Sequence, residues 1–246
     1  MTDADLAFTL ATQAGDLLIS LQKSGLFDGK LLGKAGDRVA NAFIMEALAA
    51  QRPADYVLSE EEAANPARLT HSRVWIVDPL DGTREYGEGR TDWAVHIGLA
   101  IDGVASIGAV ALPGLNVTLS TAAPPAPPPP ANKLRMLVSR TRPAAEALAV
   151  AASLNATLIP MGSAGAKAMA VLRGEADIYL HSGGQYEWDS CAPIALAHAA
   201  GLHTSRIDGS ALRYNQPNPY LPDLLICHPD LATRILDLIA QSSHAA

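Results

Sequence analysis

Carboxylates stand in this chain where apolar runs stop. Ser59-Glu60-Glu61 follows Tyr56-Val57-Leu58, and Glu187-Trp188-Asp189 lies far downstream. Between them runs Trp75-Ile76-Val77-Asp78-Pro79-Leu80-Asp81-Gly82-Thr83. A strand that delivers Asp78 and Asp81 across a proline-bent turn brings two carboxylates to one point. Proline fixes φ there, and Gly82 lets the backbone approach a ligand closely. Hard divalent cations take such oxygen ligands, and magnesium typically uses a few carboxylates, waters and a substrate phosphate. Singly, each acid reads as a turn or cap residue, and Glu60-Glu61 as a solvated pair. The WIVDPLDGT string resists that reading, because it joins a buried strand to two acids, a proline, a glycine and a hydroxyl.

Competing chemistries fail on spacing. A P-loop needs four residues between its glycines, then Lys and Ser or Thr; Gly162-Ser163-Ala164-Gly165-Ala166-Lys167-Ala168 has neither the spacing nor the final hydroxyl. Gly87 and Gly89 are followed by Asp92 where a dinucleotide fingerprint wants glycine, and no G-x-S-x-G elbow exists. Asp78 and Asp81 are not an Asp-x-Asp pair, which disfavours an aspartyl-phosphate route. His181, His198 and His203 lack zinc-ligand spacing. His96 and Trp93 fall on strand positions and read as packing.

Bulk properties narrow the class further. The 246 residues are 49% hydrophobic and 17% charged, ample for a buried core. A formal net charge of −7 argues against a nucleic-acid binder, which would show a basic face. Cys191 and Cys227 are too few for a disulfide scaffold and read as reduced, buried thiols of a cytoplasmic protein. The N-terminus carries Asp3, Asp5 and Asp16 rather than a basic leader, so a secretory signal is not expected. The apolar region from Ala94 to Leu119 is broken by His96, Asp102 and Pro113, so no membrane span is expected.

The elements that must hold these residues follow from periodicity. Leu6, Leu10, Ala14, Leu17 and Leu21 predict a helix over Asp3–Gln22. A second is predicted from near Asp37 to Gln51, with Asp37 as a candidate cap. Residues 56–58 and 73–77 read as strands, and 93–101 with 104–112 as a hairpin on Asp102-Gly103. Residues 122–131 contain six prolines and read as a solvated loop or a link between halves. Beyond it, strands at 134–139, 156–160, 177–180 and 223–227 alternate with helices at 143–154, 164–173, 190–200 and 229–242. That alternation argues for a layered α/β or α+β architecture.

Glu60-Glu61, DPLDGT and Trp188-Asp189 resemble the inositol monophosphatase superfamily over nearly the whole chain. GSAGAKAMAV, GGQYEWDS and DGSALRYNQPNPYLPDLL resemble its CysQ-type 3′(2′),5′-bisphosphate nucleotidases most. The resemblance implies an α+β fold, a layered α-β-α-β-α sandwich, with an N-terminal half at 1–130 and a C-terminal half at 131–246. It implies lithium-sensitive removal of the 3′-phosphate of 3′-phosphoadenosine 5′-phosphate, and of its sulfate ester, in sulfur assimilation. Attack by metal-activated water, without a phosphoenzyme, is implied, with two or three Mg2+ ions per site. Glu60, Asp78 and the Leu80 carbonyl would hold one ion, and Asp78, Asp81 and Asp189 a second. Thr83 with Asp37, or else Glu60, would activate the water. Glu60, Leu80, Asp81, Gly82, Thr83, Ser163, Lys167, Asp189 and Arg213 would line the substrate site. Ser163 would open a helix toward the ligand, Lys167 would pair with a second phosphate, and Arg213 with Tyr214 would meet sugar or base. Lys167 as a surface lysine and Arg213 as a loop residue remain alternatives. So do an inositol-1-phosphate or fructose-1,6-bisphosphate substrate, a catalytically silent nucleotide or metal sensor, and a homodimer.

Overall fold

In the computed structural model, which describes residues 1–243, α1 (Asp3–Lys23) buries Leu6, Leu10 and Ala14 of the predicted stripe, but its buried face continues to Leu18 and leaves Leu17 exposed. Thr2 and Asp5 cap it reciprocally, each side chain bonding the other's backbone amide. The second helix, α2 (Gly29–Gln51), begins two turns before its predicted start. Gly29, Gly33 and Gly36 lower helix propensity and hide that turn from a sequence reading. Packing explains two of them. A Cβ on Gly33 would stand 2.7 Å from Thr83 Cγ2, and one on Gly36 2.9 Å from Leu80 Cδ2. Asp37 is therefore mid-helix and not a cap, and its helix lies directly on the Leu80–Thr83 turn.

The first sheet has the order β1-β2-β3-β4-β5. Its strands are β1 (Tyr56–Ser59), β2 (Arg73–Asp81), β3 (Ala94–Ile101), β4 (Val104–Leu112) and β5 (Val117–Ser120). The first pair is parallel and the others antiparallel. Asp102 and Gly103 turn the predicted hairpin with φ of 50° and 75°. The short β5 and the single-turn α3 (Thr83–Gly87) escape sequence reading.

The second sheet has the order β7-β6-β8-β10-β9. It comprises β6 (Arg135–Ser139), β7 (Thr157–Met161), β8 (Ile178–Ser182), β9 (His203–Ser205) and β10 (Asp223–Cys227). With it go α4 (Ala145–Leu154), α5 (Ala164–Leu172), α6 (Glu187–Ala199) and α7 (Pro229–Ser243). The start of α6 lies at Glu187, a turn before the predicted Ser190, because Asp189 caps the Tyr186 amide.

Three apolar clusters fix the layers. Residues of α1 and α2 pack on Trp75, Val77 and Val95 of the first sheet. Between the sheets, α5 and α6 pack against Ile76 and Val110 on one side and Tyr179 and Ile226 on the other. Residues of α4 and α7 cover Met136, Val138 and Leu225 on the far face of the second sheet. This is the layered α-β-α-β-α arrangement expected. Both faces of β2 are buried, so it reads as an unbroken apolar run. Residues 124–130 carry no regular structure and lead from β5 of one sheet to β6 of the other. The segment is anchored: the Ala131 amide donates to Asp177, and Pro128 lies against Gly174. Both cysteines are free and buried.

Candidate metal and phosphate site

Parallel pairing of β1 with β2 sets Ser59 opposite Val77, and the next amide, Glu60, donates to the Val77 carbonyl at 3.2 Å. Glu60 is thereby delivered beside Asp78. The register of β2 against β3 then breaks: Asp78 faces His96, but Asp81 faces Ala94. Pro79 cannot donate to a ladder, so the irregularity falls here. Ligand atoms of Asp78, Asp81 and His96 consequently lie within 4.8 Å of one another. At Gly82 the chain turns into α3 with φ of 89°, a conformation costly for any side-chain-bearing residue. A Cβ there would also crowd Trp93 and Ser163 at 3.2 and 3.3 Å. Asp189 arrives from the first turn of α6, its Oδ2 accepting from the Tyr186 amide at 2.7 Å.

The electrostatics separate these acids. Asp78 is 1% exposed, and its Oδ1 accepts the Leu80 amide at 3.0 Å. Burial, then repulsion from Glu60, Asp81 and Asp189, pushes its pKa well above the usual carboxylate range. Asp189, half-buried, is pushed up to about 7 by desolvation and by Asp81. Glu60 sits on the exposed rim, yet surrounding protein atoms and its acidic neighbours also push it up to about 7. Asp81 goes the other way. Desolvation alone would raise it, but His96, the Ser163 hydroxyl and the Gly165 amide hold it at about 2. The Ser163 Oγ and Gly165 N distances are 2.5 and 2.7 Å. His96 Nε2 lies 3.1 Å from Asp81 Oδ2 at an oblique angle, while Nδ1 meets the Trp188 carbonyl at 3.0 Å. His96, which reads as packing in the sequence, thus bridges two of the acid-bearing elements.

Thr83 has one hydroxyl proton for two acceptors: the Leu80 carbonyl at 3.1 Å and Asp37 Oδ1 at 3.5 Å. Desolvation and the Glu61 charge push Asp37 up to about 7, suiting it to accept a proton near neutrality. Glu60, Asp78, Leu80, Asp81, Gly82, Thr83, Asp37 and Asp189 thus come from β1, β2, α2, α3 and α6 to one end of the first sheet.

The predicted substrate contacts from the C-terminal half need correction. Ser163 does begin α5, but its hydroxyl donates to Asp81 and accepts the Ala166 amide at 2.9 Å. With the Gly165 amide also on Asp81, that helix start is engaged by the chain itself. Lys167 is neither a surface lysine nor a free cation. It is 5% exposed, its Nζ donates to the Gly162 and Ser163 carbonyls at 2.9 and 2.5 Å, and it stands 5.3 Å over the Tyr179 ring. Desolvation lowers it to about 8. Arg213 lies at the opposite end of the sheet: the adjacent Tyr214 amide donates to Gly103, in the turn that closes β3 far from Asp81. Tyr214 is buried, and its hydroxyl meets Ser190 at 3.2 Å. What sequence reasoning passes over is a cavity of about 390 Å³ beside Thr83 and Ser163, which also borders Arg84, Arg140, Arg142 and Lys167. The signal was the hydroxyl- and arginine-rich Ser139-Arg140-Thr141-Arg142 closing a predicted strand.

The sequence profile of the inositol monophosphatase family matches residues 5–125 and 130–244. The chain belongs to that family. A relative from Mycobacterium leprae (strain TN), named 3′-phosphoadenosine 5′-phosphate phosphatase, is 49% identical over 258 residues, covering 98% of this chain and 94% of that protein. The 3′(2′),5′-bisphosphate nucleotidase CysQ of Escherichia coli (strain K12) is 29% identical over 236 residues, covering 88% of this chain and 96% of its own. A solved structure of CysQ from Bacteroides thetaiotaomicron superposes with a TM-score of 0.79 at 25% identity, over 92% of this chain and 97% of that one. The family's metal dependence fits the donor set here. All donors from Glu60, Asp78, Asp81 and Asp189 are hard oxygens, and burial with mutual repulsion raises Glu60, Asp78 and Asp189, a repulsion that a cation among them would relieve.

Proposed function

We propose that this chain is a magnesium-dependent phosphatase that removes the 3′-phosphate of 3′-phosphoadenosine 5′-phosphate, with its sulfate ester as a second substrate. The observation that carries the reading is buried Asp78 ringed by Glu60, Asp81 and Asp189, in a chain 49% identical to a phosphatase named for that nucleotide. Glu60, Asp78 and the Leu80 carbonyl would hold one ion; Asp78, Asp81 and Asp189 would hold another. Bound magnesium would supply positive charge to the phosphoryl oxygens and lower the pKa of a water. The rest falls to the chain. Asp81 is held low by His96, Ser163 and Gly165, so this ligand is ionised near neutral pH. Amides of Gly82 and Thr83, at a turn kept open by glycine, would orient the phosphate. Thr83 would pass a proton toward Asp37 once the Leu80 carbonyl is otherwise engaged, since its hydroxyl can serve only one acceptor at a time.

This reading assigns residues 1–130 to a half with most metal ligands and 131–246 to a half with substrate contacts and Asp189. Among the described residues no helix is long and apolar enough to cross a membrane. We place the chain in the cytoplasm, with a homodimer as a candidate assembly. The test is a hydrolysis panel of 3′-phosphoadenosine 5′-phosphate, its sulfate ester, inositol 1-phosphate and fructose 1,6-bisphosphate, with magnesium or chelator. The highest kcat/KM is expected for the bisphosphate nucleotide, with activity abolished by chelation. A higher kcat/KM for inositol 1-phosphate, or turnover in chelator, overturns the reading.

A further inference from the structure

The cavity beside Thr83 holds an excess of cations, and their partners separate them. Arg140 is paired to Glu85 at 2.7 Å and Glu88 at 2.9 Å, and Arg84 to the same acids at 3.3 and 3.6 Å. Lys167 is spent on backbone carbonyls. Arg142 also borders the cavity, is exposed, and forms no ion pair among the described residues. Its amide donates to Ser139 Oγ at 3.2 Å, closing the turn after β6.

Arg142 also reaches across to the loop between β8 and α6. Its guanidinium nitrogens lie 3.6 Å from where a Cβ on Gly184 would stand. The Gly184 amide in turn donates to the Tyr220 hydroxyl at 3.3 Å. Tyr220 meets Tyr186 edge to face at 5.5 Å, Tyr186 stacks one face on Trp188 at 4.8 Å, and the two tyrosines are 44% and 39% exposed. Exposed, mutually braced aromatic rings are the surface on which a base stacks. Gly184 thus joins the aromatic pair to the unpaired guanidinium, which itself borders the cavity beside Thr83.

We infer that Arg142 binds the non-reacting phosphate of a substrate that carries two, with the base lying toward Tyr186 and Tyr220. This deepens the proposed function and rests on it. A second phosphate near so many carboxylates needs a cation of its own, and a planar guanidinium takes phosphate oxygens two at a time. Because that phosphate does not react, Arg142 binds ground state and transition state alike and acts on KM.

The experiment is steady-state kinetics at saturating magnesium with 3′-phosphoadenosine 5′-phosphate and with 3′-AMP, which lacks the second phosphate. A hydrogen-bonded charge is worth about 1.5–3 kcal/mol, so Arg142→Ala is expected to raise KM for the bisphosphate about 10–100-fold. Its kcat stays within a few-fold, and KM for 3′-AMP does not rise. Arg142→Lys, which keeps the charge without the fork, falls between. Raised ionic strength weakens the bisphosphate preference of the wild type and not that of Arg142→Ala. If the wild type prefers the bisphosphate and Arg142→Ala keeps that preference, or loses equally on both substrates, the inference fails and the proposed function stands. A wild type indifferent to the second phosphate overturns both.

Discussion

Asp78 is the side chain most at odds with its surroundings. It is buried among Glu60, Asp81 and Asp189, and only a cation or a proton resolves the repulsion. Asp78→Asn keeps the oxygen that accepts the Leu80 amide and removes the charge. At pH 8, without metal, this variant is expected to melt at a higher temperature than the wild type, as functional sites often trade stability for activity. Its rate is expected to fall on the order of a thousand-fold, equal to about 4 kcal/mol of transition-state stabilisation. A lower melting temperature in calorimetry, or near-full activity, contradicts the assignment. Thr83 and Asp37 pose a different question, because 3.5 Å is long for a hydrogen bond and the Leu80 carbonyl competes. If they act as one unit, Thr83→Ala and Asp37→Asn each cost about 10²–10⁴-fold, and the double variant is little worse than either. Losses that multiply show independent roles.

At the scale of elements, the site depends on how closely α5 approaches β3. A Cβ on Gly165 would stand 2.0 Å from His96 Nε2, and the Gly165 amide holds Asp81. Gly165→Ala must displace the ring or the helix. It is expected to cost about 1–3 kcal/mol in denaturant unfolding and to slow turnover by moving Asp81. Unchanged stability and rate would mean that the contact is slack. The same helices show what sequence can convey. The apolar β2 run ending in DPLDGT was legible, because burial, proline and glycine each leave a local mark. The early start of α2 was not, because Gly29, Gly33 and Gly36 weaken local propensity, the last two to admit a turn far along the chain. The role of His96 was equally hidden: a histidine on a buried strand looks like packing until Asp81 and the Trp188 carbonyl are found at its two nitrogens. Lys167 borders the cavity but is engaged by carbonyls, and Arg213 lies at the far end of the sheet, because a string shows which cations exist, whereas partners and distance decide which is free.

For the whole molecule, opposite pKa shifts at opposite ends of the first sheet govern stability against pH. At the start of β2, Arg73 donates to Asp3 and Asp55, and Arg52 also donates to Asp3, tying α1, α2 and β2 together. Burial alone would raise Asp3 and Asp55, but hydrogen bonds from Arg52, Arg73 and Trp75 hold them below the usual range. Such groups contribute stability above the unfolded carboxylate pKa and lose it as pH falls through their folded values. At the other end Asp81 is held low, but Asp78, Glu60, Asp189 and Asp37 are raised, the last three to about 7. The native state there binds more protons than the unfolded chain, so stability falls as pH rises from about 4 to about 7. The metal-free protein is therefore expected to be most stable near pH 5, and to lose on the order of a few kcal/mol by pH 8. On the proposed reading magnesium would bind only the folded, ionised cluster, so it should restore that loss at pH 8 and add little at pH 5. Thermal unfolding at both pH values, in chelator and in magnesium, gives a four-cornered comparison. Equal stabilisation by magnesium at both pH values would show that the raised acids are not the ion's ligands. A metal-free protein more stable at pH 8 than at pH 5 would show that the charged cluster costs the fold nothing.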